Sequence, residues 1–249
     1  MPQLASLSLE APKILIYGRP GTGKTSFTMT LGESLEIIES DPQGYGVGLT
    51  LKDGKEAIRA KVEVSYFRDD PVVPGTGWGK LKARVLSIAN DLRANKYTKK
   101  VVAFDSLTSA GELALRYVRA NSGKPLSGPP SQPEWGAAML ELEFVINLAL
   151  GFRIPAIFLA HEDTEQTDPN GQFVQKKPYI IGQRLLPKVI ANLTEVYYAK
   201  LEPKGGGSFL RLLQTSGTPG IEAKSGRSIP NFDMSRGAQA LFEELKFPL

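Results

Sequence analysis

Eight consecutive residues, Gly18-Arg19-Pro20-Gly21-Thr22-Gly23-Lys24-Thr25, stand in the order G-x-x-x-x-G-K-T. Residues of these types at this spacing cradle a polyphosphate. The glycines let backbone N–H groups close around phosphate oxygens, the lysine reaches the outer phosphates, and the threonine hydroxyl faces a magnesium ion. Gly18, Arg19, Pro20, Gly21, Thr22, Gly23, Lys24, Thr25 and the following Ser26 are therefore the candidate nucleotide-contacting residues, with Thr25 also a metal ligand. Val101-Val102-Ala103-Phe104-Asp105 is an apolar run ending in a carboxylate, and Asp105 can hold the same Mg²⁺ beside Thr25. Asp105 could also cap a helix, since Ser106 and a helical pattern follow. Leu35 to Asp41 ends in acids as well. With Ser106 rather than a glutamate after Asp105, the carboxylate that orients an attacking water is expected elsewhere: at Asp41, or at Glu39 in its place. Both acids can equally end a strand before the Pro42–Gly44 turn. His161 is the only histidine and follows the apolar run Ile154 to Leu159. A neutral imidazole at that point can donate to a phosphate oxygen and still titrate near neutrality.

These residues must be positioned by strands ending at a common edge. Ile14-Leu15-Ile16-Tyr17 reads as a buried strand and Ser26 to Leu31 as the start of a helix, which puts the glycine-rich loop between them. Lys61 to Phe67 alternates like a half-exposed strand. Leu81, Val85, Ile88 and Leu92 keep a helical period, Leu107 to Val118 reads as helix, and Trp135, Met139, Leu142, Ile146 and Ala149 form another stripe. Asp69 to Gly79 and Asn121 to Pro133 are rich in proline and glycine and read as loops. Glu195 to Leu201 and Phe209 to Gln214 read as paired strands around Gly205-Gly206-Gly207, and Gly237 to Leu245 reads as a closing helix. Strands alternating with helices predict an α/β fold, a mostly parallel central sheet with flanking helices and antiparallel C-terminal edge strands.

Composition narrows the chemistry. The 249 residues include no cysteine and one histidine, which excludes disulfides, thiolate zinc sites, cysteine nucleophiles and multi-histidine metal sites. No window approaches the roughly 18 unbroken apolar residues of a membrane helix, and Met1 to Glu10 lacks the layout of a secretory signal. A cytoplasmic setting is expected. The formal net charge of +4 permits nucleic-acid binding without announcing it.

Three segments together resemble the RecA family of ATPases: Gly18 to Thr25, Ile37-Ile38-Glu39-Ser40-Asp41, and Val101 to Ser109 with its Asp105-Ser106 pair. The resemblance spans nearly the whole chain, implying one ATPase domain over residues 1–249 with 1–12 as an N-terminal tail. It is strongest to the minimal RecA-like single-strand annealing and recombination proteins of bacteriophages. It implies an ATPase with ATP and Mg²⁺ bound at the junction of subunits in a homo-oligomer, a ring or a helical filament, within the cytoplasm of a bacterial host. It assigns the water-activating carboxylate to Asp41. It gives His161 the place of the residue that senses the γ-phosphate and relays its state to the DNA-binding loop that follows. Ile221-Glu222-Ala223-Lys224-Ser225-Gly226-Arg227 resembles the basic segment that such subunits project toward a neighbour's γ-phosphate, making Lys224 a finger acting in trans and Arg227 its alternative or second cation. An ordinary exposed basic turn is the competing reading.

The same resemblance makes the stretch after His161 a contact for single-stranded DNA. Lys176, Lys177 and Arg184 would meet phosphates, while Phe173 or Tyr179 would stack on bases. An unspecialised β-hairpin turning at Asn170-Gly171 is the alternative. The Asn121–Pro133 loop with Lys124 is the second candidate DNA loop. A recombination or annealing ATPase stimulated by DNA is the leading expectation. A helicase or packaging-type motor, and a nucleotide-dependent switch with little turnover, are the alternatives.

Overall fold

We describe residues 10–41, 61–123, 127–166, 174–182 and 184–249 of a computed structural model. Strand β1 (Lys13–Gly18) is buried along its length. Ile14 and Ile16 enter one apolar core, while Leu15 and Tyr17 enter a second on the opposite face. A continuous apolar strand is what a parallel sheet covered on both sides requires. Strands β2 (Leu35–Glu39) and β4 (Val101–Asp105) are buried in the same way.

Helix α1 (Lys24–Met29) and helix α6 (Gly237–Glu244) cover one face, through Phe27, Leu241 and Phe242. The other face is covered by α2 (Thr76–Arg93), α3 (Leu107–Asn121), α4 (Gln132–Leu150) and α5 (Leu185–Asn192), through Trp78, Leu107, Leu142 and Val189. The remaining strands are β3 (Glu63–Tyr66), β5 (Ala156–Gln166), β6 (Val174–Pro178), β7 (Glu195–Gly205), β8 (Ser208–Gln214), β9 (Lys224–Ser225) and β10 (Phe232–Asp233). The sheet runs β10-β8-β7-β1-β5-β4-β2-β3, with β6 on β5 and β9 on β7. From β7 through β3 the neighbours are parallel, and β8, β9 and β10 pair antiparallel. This is an α/β fold with a mostly parallel central sheet, flanking helices and an antiparallel edge, as the sequence predicts.

Register decides where the chemistry lies. Gly18 stands opposite His161, and Asp105 stands opposite both Glu39 and Leu159. The C-terminal ends of β1, β2, β4 and the middle of β5 thus share one edge, where open α/β sheets bind ligands. The Asp105–Ser106 peptide is cis. Ser106 caps α3 by accepting the Ser109 N–H at 3.2 Å.

Several elements differ from the sequence reading: α3 runs on to Asn121, α4 begins at Gln132 inside the expected Asn121–Pro133 loop, and α5 has no counterpart in that reading. Helix α2 begins at Thr76, inside the expected Asp69–Gly79 loop. A Cβ on Gly77 would lie 2.7 Å from the Arg68 carbonyl carbon, so this glycine permits close packing rather than a turn. Strand β5 does not stop near Leu159 but continues through Gln166 and folds back on β6, pairing Glu162 with Pro178 and Gln166 with Val174. Strands β5 and β6 thus pair antiparallel. The turn at Asn170-Gly171, with Phe173, lies outside the described residues, as do Lys124 and the Pro42–Gly48 stretch.

Candidate functional site

The phosphate-binding loop hangs between β1 and α1, and two glycines set its path. A Cβ on Gly18 would lie 2.3 Å from the Ala199 carbonyl oxygen, so β1 ends against β7 with no room for a side chain. Gly23, at the start of α1, has φ 92°, in the left-handed region that side chains disfavour. Thr22 Oγ1 donates to the Arg19 carbonyl at 2.9 Å, tightening the loop. Lys24 Nζ lies over the same loop, donating to the carbonyls of Gly18 at 2.8 Å and Arg19 at 3.1 Å. Burial lowers its pKa to about 8, against the opposing pull of Asp105, Asp41 and Glu162.

Thr25 Oγ1 donates to Asp105 Oδ2 at 2.6 Å, so the two expected metal ligands meet. Asp105 is buried, and desolvation pushes its pKa up. The Thr25 hydrogen bond opposes that push and the nearby Asp41 charge adds to it. Glu39 is pushed up too, first by burial and then by Asp105, with the Asp41 N–H pulling the other way. Two carboxyls at the end of the sheet thus lack the water that would hold them charged. A hydroxyl and a carboxylate oxygen in such surroundings suit a hard divalent cation. No group of three His, Cys, Asp or Glu able to hold a metal occurs among the described residues. An ion at Thr25 and Asp105 would thus take its other ligands from water and phosphate, as Mg²⁺ does in nucleotide sites.

The ends of β2 and β4 are locked together. The Ser40 and Asp41 N–H groups both donate to the Asp105 carbonyl, at 2.7 and 3.1 Å, and Ser40 Oγ donates to the Ser106 carbonyl at 2.9 Å. Glu39 Oε1 accepts the Asp41 N–H at 2.9 Å and stays buried. The Asp41 side chain turns instead to His161, with Oδ2 3.1 Å from Nε2. That contact assigns the proton to Nε2. Nδ1 is buried with no hydrogen-bond partner. The His161 backbone is pinned as well, its N–H donating to Thr108 Oγ1 at 3.0 Å and its carbonyl accepting from the Tyr179 N–H at 2.8 Å. Lys24, Thr25, Glu39, Asp41, Asp105 and His161 are therefore gathered at one edge.

Lys224 and Arg227 are elsewhere. Lys224 pairs with Val196, near the start of β7, and its Nζ donates to the Ile190 carbonyl at 2.6 Å. Arg227 donates to the carbonyls of Leu245 and Glu10. Val196 itself faces Leu15, so the Lys224 backbone lies about three residues, or roughly 10 Å along the strand direction, below Gly18.

Among the expected DNA residues, Lys176 and Lys177 are neighbours on β6, while Tyr179 and Arg184 are exposed beyond it. Lys176 Nζ lies 3.3 Å from Tyr198 Oη and 5.3 Å from that ring's centroid. Tyr198 Oη donates to Glu162 Oε2 at 2.9 Å, and Arg19 of the phosphate loop pairs with Glu162 Oε1 at 3.4 Å. This chain of contacts joins the loop to the hairpin. Glu162 and Tyr198 went unnoticed as site residues because only the pairing of β1 with β5 and β7 brings them beside Arg19, and no local pattern marks them.

The phosphate loop and the sheet edge around it are those of a P-loop nucleotide-binding domain. The protein family described as AAA domain matches residues 10–227, and the chain belongs to that family. Membership supports nucleotide binding and ATP hydrolysis in general terms. No curated protein matches the chain. Among solved structures, it is similar to the one described as "Structural and biochemical analysis of a prototypical ATPase from the type III secretion system of pathogenic bacteria". That match has a TM-score of 0.45 and 15% identity, covering 77% of this chain and 52% of that one. The chain thus spans about half the length of that ATPase. Among the described residues, no helix is long and apolar enough to cross a membrane.

Proposed function

We propose that this chain is a RecA-like ATPase that binds single-stranded DNA and acts as an oligomer in recombination or strand annealing. One observation supports the reading above others. His161 touches Asp41 at 3.1 Å and belongs to the same strand that continues into the β5–β6 hairpin, whose second strand carries Lys176 and Lys177. A residue at the γ-phosphate edge is thereby in covalent and hydrogen-bonded continuity with the candidate DNA contacts.

Asp41 is the water-orienting carboxylate in this reading. Glu39 is its neighbour, but burial favours its neutral form, which makes it a poor base. Asp41 accepts a hydrogen bond from the attacking water and takes its proton. The water oxygen bonds to the γ-phosphorus as the bond to the β–γ bridging oxygen breaks, giving ADP and phosphate. Lys24 stabilises the charge on the phosphate oxygens. Thr25 and Asp105 would hold Mg²⁺, which would supply charge neutralisation to the phosphates. Lys224, with Arg227 as second cation, serves a neighbouring subunit's site after exchanging its carbonyl partners for phosphate.

The test is the ATPase rate as single-stranded DNA is titrated, for the wild type, Asp41→Asn and Lys224→Ala. The wild type should be stimulated. Asp41→Asn should lose at least about 100-fold in kcat while still binding nucleotide. Lys224→Ala should lose the stimulated rate. Hydrolysis indifferent to DNA contradicts the recombination reading and favours a switch or another motor.

A further inference from the structure

Arg211 lies on β8 opposite Leu201 of β7, and its side chain reaches the phosphate-binding loop. A methyl group placed on Gly23 would be 3.0 Å from Arg211 Cδ and 3.1 Å from its Nε. The guanidinium therefore stands against the wall of the loop, next in sequence to Lys24. The other cations near this edge are already engaged. Arg19 pairs with Glu162, and Lys24 donates to two carbonyls. Glu202, the acid on the same hairpin, is held by Lys200 at 2.7 Å. Arg211 has no hydrogen-bond or ion-pair partner among the described residues, and it is exposed.

The β7–β8 hairpin gives this arginine a fixed base. Tyr17 of β1 pairs with Tyr198 of β7, and β7 then continues beyond the end of β1, with Ala199 packed on Gly18. The hairpin thus overhangs the phosphate loop from the side opposite Asp105, because β7 and β5 flank β1. A planar fork of donors held beside a loop that cradles phosphate suits bidentate contact with phosphate oxygens.

We propose that Arg211 is a phosphate-binding residue of the nucleotide site in its own subunit, contacting the α- or β-phosphate of a nucleoside di- or triphosphate from the side opposite the Mg²⁺ ligands. The inference rests on the nucleotide reading above. It gives the site a cation supplied in cis, distinct from Lys224.

Calorimetric titration of the full chain with ADP and with inorganic pyrophosphate tests it, using the wild type, Arg211→Met, Arg211→Lys and Lys24→Ala. Arg211→Met keeps the aliphatic packing against Gly23 and removes the charge. It should weaken both ligands by at least about 10-fold, the scale of a lost charge-assisted hydrogen bond, with an unchanged melting temperature. Arg211→Lys should fall between. If Arg211→Met binds both ligands like the wild type while Lys24→Ala loses them, this inference alone is overturned. Weakening of ADP but not pyrophosphate overturns the phosphate assignment. A wild type that binds neither ligand overturns the inference together with the nucleotide reading.

Discussion

Three carboxylates within one sheet edge divide their work by burial. Asp105 is buried against Thr25, Glu39 is buried behind it, and Asp41 turns out to meet His161. The Glu39 carboxyl ordinarily titrates at 4.5 and is raised to about 9, chiefly by loss of water around it. The sign of the consequence follows from proton counts. Above its ordinary pKa the unfolded chain has released this proton while the native chain still holds it, so native stability falls as pH climbs from 4.5 toward about 9. Glu39→Gln keeps the acceptor for the Asp41 N–H and has nothing to ionise. Between about pH 6 and about pH 9, without added Mg²⁺, the wild type should lose at least about 1.4 kcal/mol relative to this variant, the equivalent of one pKa unit. Urea denaturation at the two pH values measures it, and parallel pH curves would place the ionisation elsewhere.

The elements that hold the site differ in how openly they are written. Strands β1, β2 and β4 are legible because each is an uninterrupted apolar run closed by a functional residue, and register in a parallel sheet then brings their ends together. The start of α2 was hidden by Gly75, Gly77 and Gly79, which look like loop punctuation; what Gly77 provides is close approach to the Arg68 backbone, a tertiary fact with no local signal. Helix α5 is two turns long and too short to show a period. Arg211 and Glu162 gained their positions only from strand pairing across the sheet. Burial of the β2 strand also has an electrostatic condition. Glu36 has no exposed surface, and Arg84 clamps it with two bonds of 2.7 and 2.8 Å while Tyr97 Oη donates at 2.7 Å. Arg84→Ala leaves that carboxylate buried without its cation and should destabilise the protein by about 3 kcal/mol in urea titration. For the β5–β6 hairpin, replacing Lys176 and Lys177 by Ala should weaken single-stranded DNA binding and flatten its salt dependence by up to about 0.7 in log–log slope per lost phosphate contact. Nucleotide affinity should not change. An unaltered salt slope would remove the hairpin from the DNA interface.

Across the whole molecule, the sheet separates two kinds of cation. Lys24 and Arg211 stand at the edge that carries the phosphate loop, and Lys224 and Arg227 stand toward the other end, bonded to carbonyls of their own chain. The chain thus has its phosphate loop at one edge of the sheet and carbonyl-bonded cations toward the other. In the oligomer proposed above, one copy's Lys224 would meet the phosphate loop of the next. Within the chain, two sets of contacts join the phosphate-loop edge to the hairpin, Asp41 to His161 and Arg19 through Glu162 and Tyr198 to Lys176. The central claim is that the nucleotide's outer phosphate is felt at the hairpin through His161. The direct measurement is the affinity for single-stranded DNA with a non-hydrolysable ATP analogue and with ADP, in the wild type and in His161→Ala. The account predicts at least about 10-fold tighter binding with the analogue in the wild type, a coupling of ordinary allosteric size, and loss of that difference in His161→Ala. Equal affinities with the two nucleotides in the wild type, or an undiminished difference in His161→Ala, would contradict it.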